Sequence, residues 1–182
     1  AIGIGCGLET NPGTVDWLKN ILENANGVRL ILDADALNIV AKEKMTIPKD
    51  TVITPHPGEF DRLFGSSKSG VERYNKQVEM AQKLQIHIVL KGHFTSYVNP
   101  DGLTWYNSTG NAGMACGGSG DSLTGLLTGI LAQNYTIQDS IILAVFLHGL
   151  AGDHAAKELG QQAMSASDII QHMSSAWKQI SA

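Results

Sequence analysis

Three short apolar runs constrain this chain more than anything else in it. Val28–Asp33 (VRLILD), Thr51–Thr54 (TVIT) and Ile86–Leu90 (IHIVL) are close to unbroken in hydrophobic character. Continuous rather than alternating apolarity marks a strand covered on both faces, as in a parallel sheet. Between these runs the period changes. Thr14–Ala25 puts Val15, Leu18, Ile21 and Leu22 on one helical face, Asp35–Ala41 reads as a short helix, and Gly70–Leu84 repeats Val71, Tyr74, Val78, Ala81 and Leu84 at helical spacing. Ile2–Gly5 looks like the end of a further strand. Thr95–Asn99 and Leu103–Asn107 flank Pro100-Asp101-Gly102, a turn signal that predicts a hairpin.

The remainder reads as helices only: Ser122–Gln133, Ile137–Leu159 and Ser167–Ile180. The last is expected to take Ser167 as N-cap and to turn Ile169, Ile170, Met173, Trp177 and Ile180 inward. Strands alternating with helices predict a three-layer α/β fold, its mostly parallel central sheet flanked by helices. A length of 182 residues suggests one domain over residues 1–182. The chain opens on a strand end and a glycine turn, AIGIGCGLET, so earlier βα units are expected to be missing from its N-terminus.

Composition removes several classes of function. A net charge of -4 gives a nucleic-acid surface no electrostatic support. Cys6 and Cys116 supply no disulfide framework and read as free thiols in a reducing compartment. No apolar run is long enough to span a bilayer, and no basic segment followed by an apolar stretch marks a signal peptide. The expected setting is cytoplasmic, without membrane or nucleic-acid partners.

In parallel sheets ligands bind beyond the carboxyl ends of the strands. The informative segments fall there: Gly3–Gly7, Asp33–Asn38, Pro55–Glu59, Lys91–Thr95 and the block Asn107–Gln133. The block carries the most chemistry. Gly110, Gly113, Gly117, Gly118 and Gly120 lead through Asp121 into an apolar helix. Bare backbone lets N–H groups crowd together, and a helix N-terminus adds unpaired donors and a positive dipole end. Gly117, Gly118, Ser119 and Gly120 can therefore form an anion hole for a phosphoryl group. Asp121 can take a proton from a hydroxyl as that group arrives; the plainer alternative is an Asp capping its helix.

The other strand ends carry weaker signals. Lys91 can meet a nucleotide phosphate, with Gly92 allowing close backbone approach, or it can simply snorkel to water. In Pro55-His56-Pro57-Gly58-Glu59 the prolines make a rigid kink that presents His56 at the rim. Glu59 can hold Mg²⁺ through water or start a helix. Asp33 and Asp35 stand near metal or substrate hydroxyls, or else serve as turn acid and N-cap. Gly3, Gly5 and Gly7 fit either a ligand packed on backbone or a tight βα turn. His148 and His154, six residues apart, lack the spacing of metal ligands and read as buried or capping residues; His87 and His172 read as structural.

GCGL at the start, LDADALN, TPHPGEFDRL, VLKGHFT, the NSTGNAGMACGGSGDSLTGLLTGILAQ block and HGLAGDHAA occur in an order that resembles one branch of the ribokinase-like superfamily, the ADP- or ATP-dependent NAD(P)H-hydrate dehydratases. The likeness covers essentially the whole chain. It implies a ribokinase-like fold and a lyase that repairs hydrated nicotinamide dinucleotides, NADHX or NADPHX, with ADP or ATP as co-substrate and Mg²⁺ as cofactor. It implies that Lys91, Gly92, His93, Phe94, Thr95 and Gly120 line the adenine nucleotide. Asp121, His56 and Gly7, with Gly5 the other choice, would meet the hydrated dinucleotide. It further implies a homotetramer that works beside an NAD(P)H-hydrate epimerase. The first loop departs from the family pattern, since GIGCGL stands where GPGLG is more usual. Two other readings remain at this point: a small-molecule kinase of the same superfamily acting on a vitamin precursor, and a catalytically inert nucleotide-binding module.

Overall fold

A computed structural model describes residues 1–181. It contains two compact units. The first comprises Ala1–Gly92 with Ser96–Trp105, and the second His93–Thr95 with the chain from Tyr106 onward.

The first unit is built on a sheet. Strands β1 (Ile2–Ile4), β2 (Leu30–Leu32), β3 (Val52–Ile53), β4 (His87–Leu90), β5 (Ser96–Val98) and β6 (Thr104–Tyr106) lie side by side in sequence order. The first four are parallel, in a register that sets Ile2 against Leu30, Ile31 against Val52 and Ile53 against Ile88. The pairing turns antiparallel where Leu90 meets Ser96. The three apolar runs are the buried strands expected of them, shorter by a residue or more than the runs themselves. The hairpin of β5 and β6 closes through Gly102, whose φ of 84° suits the turn.

Four helices complete this unit: α1 (Pro12–Asn24), α2 (Ala34–Glu43), α3 (Pro57–Phe64) and α4 (Gly70–Leu84). Their apolar faces supply Leu18, Leu22, Leu37, Ile39, Val40, Phe60 and Ala81 to a core shared with Leu30, Leu32, Ile53, Ile86 and Ile88. Helix α1 starts two residues before the apolar pattern does, because Asn11 caps it (Thr14 N–H to Oδ1, 3.0 Å) and Pro12 suits the first turn. Helix α3 bears out the alternative in which Glu59 lies at a helix start, although the helix itself has no apolar run long enough to announce it. His56 is its N-cap and Pro57 occupies the first turn. Gln77 of α4, fully buried, donates to the carbonyls of Ile88 (3.0 Å) and Ser96 (3.3 Å) and accepts from the Ser96 hydroxyl (2.9 Å). It thereby ties its helix to β4 and β5.

The second unit is helical. A single 3₁₀ turn, Ala112–Met114, interrupts the glycine-rich segment, and α5 (Ser119–Leu131), α6 (Ile137–Leu159) and α7 (Ala166–Ser181) pack on one another. Helix α5 begins at Ser119, not at Ser122, so Gly120 and Asp121 belong to its first turn. Helix α7 begins after Ser165, whose N–H and hydroxyl both donate to Asp168 (2.7 Å each). The expected cap at Ser167 is two residues too late. Its inward face is correspondingly narrower than read: Ile169 and Ala176 are buried, whereas Ile170, Trp177 and Ile180 are exposed. Ile170 and Trp177 each follow a buried residue by one position and lie about 100° round the helix from it. Among the described residues no helix is long and apolar enough to cross a membrane.

Candidate active site

In the first unit four parallel strands deliver their following residues to one side of the sheet. Gly5, leaving β1, is buried, with φ 137°. A side chain there would collide with the Asp33 carbonyl, so its bare backbone serves strand packing rather than a ligand. Gly7 (φ 61°) is exposed with open space around it and is the one of the pair able to meet another molecule. After β2, Asp33 holds the N-cap position of α2 but makes no side-chain cap bond. Its carboxylate is buried and accepts from the Lys91 ammonium at 2.6 Å. Asp35, expected as that cap, accepts instead from the Glu9 N–H (2.9 Å) and steadies the glycine turn.

Beyond β3, His56 and Glu59 form a reciprocal capping box. The His56 Nδ1 accepts from the N–H groups of Gly58 (3.0 Å) and Glu59 (3.4 Å), and Glu59 Oε2 accepts from the His56 N–H (2.8 Å). An accepting Nδ1 carries no proton, so the exposed ring presents Nε2–H. Glu59 is buried. Its Oε1 faces His56 Nε2 at 3.4 Å and its Oε2 lies 4.0 Å from Lys91 Nζ. Both oxygens are thus directed at protein groups, and the carboxylate fits a cap rather than a ligand to Mg²⁺ or its waters. After β4, Lys91 is held by Asp33, while Gly92 stands exposed.

In the second unit the short piece His93–Thr95 carries two exposed rings, His93 and Phe94, packed edge to face at 4.4 Å. The glycine-rich segment is fastened along one side of α6. Asn107 Nδ2 donates to the Val145 carbonyl (3.4 Å) and the Thr109 hydroxyl to that of Phe146 (2.8 Å). Asp153 accepts from the Gly110 N–H (2.9 Å) and from Asn111 Nδ2 (3.0 Å). Gly149 and Gly152 lack the side chains that would strike Thr109 and Met114. At the far end His148 meets Ser122 at 2.9 Å, and burial pushes its pKa down to about 4, so the ring is neutral.

Gly118, left-handed at φ 86°, turns the chain into α5 without any side-chain cap. The Ser119 N–H is turned back to the Cys116 carbonyl (3.3 Å), and the Ser122 N–H to that of Gly118 (3.0 Å). That leaves the N–H groups of Gly120 and Asp121 as the unpaired donors of the helix start, beside an exposed Asp121 side chain. Of the four residues read as an anion hole, Ser119 is buried and its N–H is already engaged. The second unit thus brings together free backbone donors, a dipole end and an accessible carboxylate, which is an arrangement for holding an anion and accepting a proton.

The family model described as NAD(P)H-hydrate dehydratase matches residues 1–175. The chain belongs to the NAD(P)H-hydrate dehydratase family. Among members of that family, it is 40% identical over 174 residues to the bifunctional NAD(P)H-hydrate repair enzyme Nnr of Moorella thermoacetica, covering 93% of this chain and 33% of the relative. It is 34% identical over 183 residues to the ADP-dependent (S)-NAD(P)H-hydrate dehydratase of Bacillus subtilis, covering 98% of this chain and 64% of that one. The crystal structure of the Bacillus subtilis ADP/ATP-dependent dehydratase, co-crystallized with ATP/Mg²⁺, superposes with a TM-score of 0.87. It is 34% identical and the match spans 98% of this chain and 64% of that one. A ribokinase-like superfamily protein from Enterococcus faecalis gives 0.85 at 31% identity, over 98% and 62%. The fold class expected from sequence therefore stands: a mostly parallel, ribokinase-like sheet with flanking helices. The chain spans between about a third and two thirds of the length of these relatives.

The α6 residues of HGLAGD were missed as contributors to the site. Their signal was present, since His148, Gly149, Gly152 and Asp153 fall at i, i+1, i+4 and i+5, a single helical face.

Proposed function

We propose that the protein dehydrates hydrated NADH or NADPH back to the reduced dinucleotide at the expense of ADP, acting through a phosphorylated intermediate. The observation that carries this reading is the start of α5, where two unpaired N–H groups adjoin an exposed carboxylate in a member of a dehydratase family.

Hydroxide leaves poorly and phosphate leaves well. Asp121 takes the proton of the ring hydroxyl, whose oxygen attacks the terminal phosphorus of the nucleotide. The bond from that phosphorus to the leaving phosphate oxygen breaks, and AMP departs. The Gly120 and Asp121 N–H groups, with the bare backbone of Gly117 and Gly118, take up charge on the migrating phosphoryl group. The ring nitrogen lone pair then expels phosphate, and loss of a proton from the adjacent carbon restores the double bond. ADP thus becomes AMP and phosphate as one water is removed from the dinucleotide.

Lys91, Gly92, His93, Phe94 and Thr95 serve the adenine nucleotide, the exposed Phe94 ring offering an aromatic face to a purine. Gly7 and His56 serve the hydrated dinucleotide, His56 through its Nε2–H. Mg²⁺ would offset charge on the nucleotide phosphates when bound, and no step is routed through it. The fused repair enzymes among the relatives support a working partnership with an epimerase.

The test is an assay of hydrated NADH with ADP or ATP and Mg²⁺, followed at the absorbance of reduced nicotinamide with phosphate release measured in parallel. Asp121→Asn should lower the rate roughly 10²–10⁴-fold, the range for loss of a general base, with circular dichroism unchanged. A phosphorylated alcohol that accumulates without absorbance would show a kinase instead.

A further inference from the structure

We infer that His148 is a positioning residue for phosphoryl transfer, holding the first turn of α5, and with it the Gly120 N–H and the Asp121 carboxylate, from the neighbouring helix. The inference rests on the phosphoryl-transfer reading above.

The argument begins with what α5 lacks. An ordinary N-cap is Ser, Thr, Asp or Asn, and its side chain accepts from the N–H of the second or third helical residue. In α5 those residues are Gly120 and Asp121. A side-chain cap would consume the very donors a phosphoryl group needs. The position is held by Gly118, with no cap bond, and Gly120 is itself a poor helix former. Left alone, such a turn frays.

The structure supplies the missing constraint from the other side of the turn. The Ser122 hydroxyl donates to the Ser119 carbonyl (2.8 Å), so its oxygen accepts from His148 Nε2–H (2.9 Å). The ring thus reaches the Ser119 carbonyl through the Ser122 hydroxyl. Ser119 and Ser122 are the two ends of the turn, and the chain from His148 through the Ser122 hydroxyl to the Ser119 carbonyl ties both while leaving the N–H groups between them free. The ring is 6% exposed and sits among apolar neighbours on α6, including Leu147 and Ala151. Only a polar partner makes a histidine there affordable. Helix α6 is the same element that fixes Gly110 through Asp153, so both ends of the glycine-rich segment are referred to one rigid body.

The test compares His148→Leu, of similar volume but without a donor, with His148→Gln, whose amide can restore one. Expected for His148→Leu are a kcat some tenfold to a hundredfold lower with KM for ADP within about twofold, and amide exchange at Gly120–Ser122 at least about tenfold faster. His148→Gln should recover kcat to within about threefold. Should His148→Leu fail to fold, Ser122→Ala carries the same readouts. Wild-type kcat in His148→Leu, or a His148→Gln as slow as the leucine variant, overturns the inference. A wild-type protein inactive on hydrated NADH overturns the functional reading instead. In that case exchange at Gly120–Ser122, which needs no substrate, decides whether His148 holds the turn.

Discussion

Asp153 Oδ2 accepts the Gly110 N–H at 2.9 Å while Oδ1 of the same carboxylate accepts Asn111 Nδ2 at 3.0 Å. One side chain on a rigid helix thus fixes two consecutive residues of a segment that has little regular structure of its own. A charged acceptor makes each of these bonds stronger than its neutral counterpart.

Asp153→Ala should therefore loosen the segment more than it destabilises the protein. The expected cost is about 2 kcal/mol in urea unfolding, because the orphaned N–H and amide lie near solvent and can be rehydrated. Amide exchange at Gly110–Met114 should rise sharply while that of α7 does not. Equal acceleration in both would mean that Asp153 acts on the unit as a whole.

Gly149 and Gly152 make a sharper comparison. A Cβ at Gly149 meets the backbone of Thr109, carbon at 2.7 Å and oxygen at 2.8 Å, and Thr109 is itself bonded to the Phe146 carbonyl. At Gly152 it meets the Met114 side chain, at Sδ, Cγ and Cε, and no backbone among its nearest atoms. Alanine gains about 1 kcal/mol over glycine in a helix, while overpacking costs about 1–3 kcal/mol. Gly149→Ala is expected to be clearly destabilising and Gly152→Ala close to neutral. Thermal unfolding of the two variants checks the order.

The same helix shows where sequence stops being readable. The bounds of helix α4, Gly70–Leu84, were legible because helical spacing is a local signal, although Val71 of the expected face is exposed. The parallel sheet and the hairpin were legible because buried strands and a Pro-Asp-Gly turn announce themselves. Helix α3 was hidden by its own start. A capping box is recognised by Ser or Thr, and here His56 fills the place with a ring nitrogen while two prolines suggest a kink. The ion pair of Lys91 with Asp33 was out of reach of the sequence, because the two lie 58 residues apart in the chain. His148 and Asp153 share a helix face in the sequence, but a face acquires meaning only from what packs on it. The six segments that carried the family likeness placed the glycine-rich block and Asp121 in view, but not the side chains that hold them.

Gln77 tests the sheet rather than the site. Its amide serves two carbonyls and a hydroxyl at full burial. Gln77→Leu keeps the volume and abandons all three partners. The expected loss is about 2 kcal/mol, the scale of leaving buried polar groups unsatisfied. It should be seen as a lower urea midpoint at unchanged m. A variant as stable as wild type would show that water or a shifted neighbour replaces the amide.

Two buried histidines should make the protein acid-sensitive above the range where carboxylates titrate. Burial lowers both His87, which meets the Tyr97 hydroxyl at 2.7 Å, and His148 from 6.5 to about 4. In the unfolded chain both take up protons near pH 6.5, whereas folded they do not. The stability they contribute is complete above that pH and is lost as pH falls through 4, by about 2 kcal/mol for each histidine between pH 7 and 5. His172 acts in the opposite sense. Bonds to the Asp168 carbonyl and to Glu158 raise its pKa, so its contribution is full below 6.5 and fades as pH rises. It is small, because Glu158 is exposed to solvent. Urea midpoints measured from pH 7 to 5 should therefore fall steeply in wild type. His87→Gln should flatten the slope by about half, and His172→Gln should steepen it slightly. An unchanged slope in His87→Gln would mean that the ring is already protonated in the folded protein at pH 5.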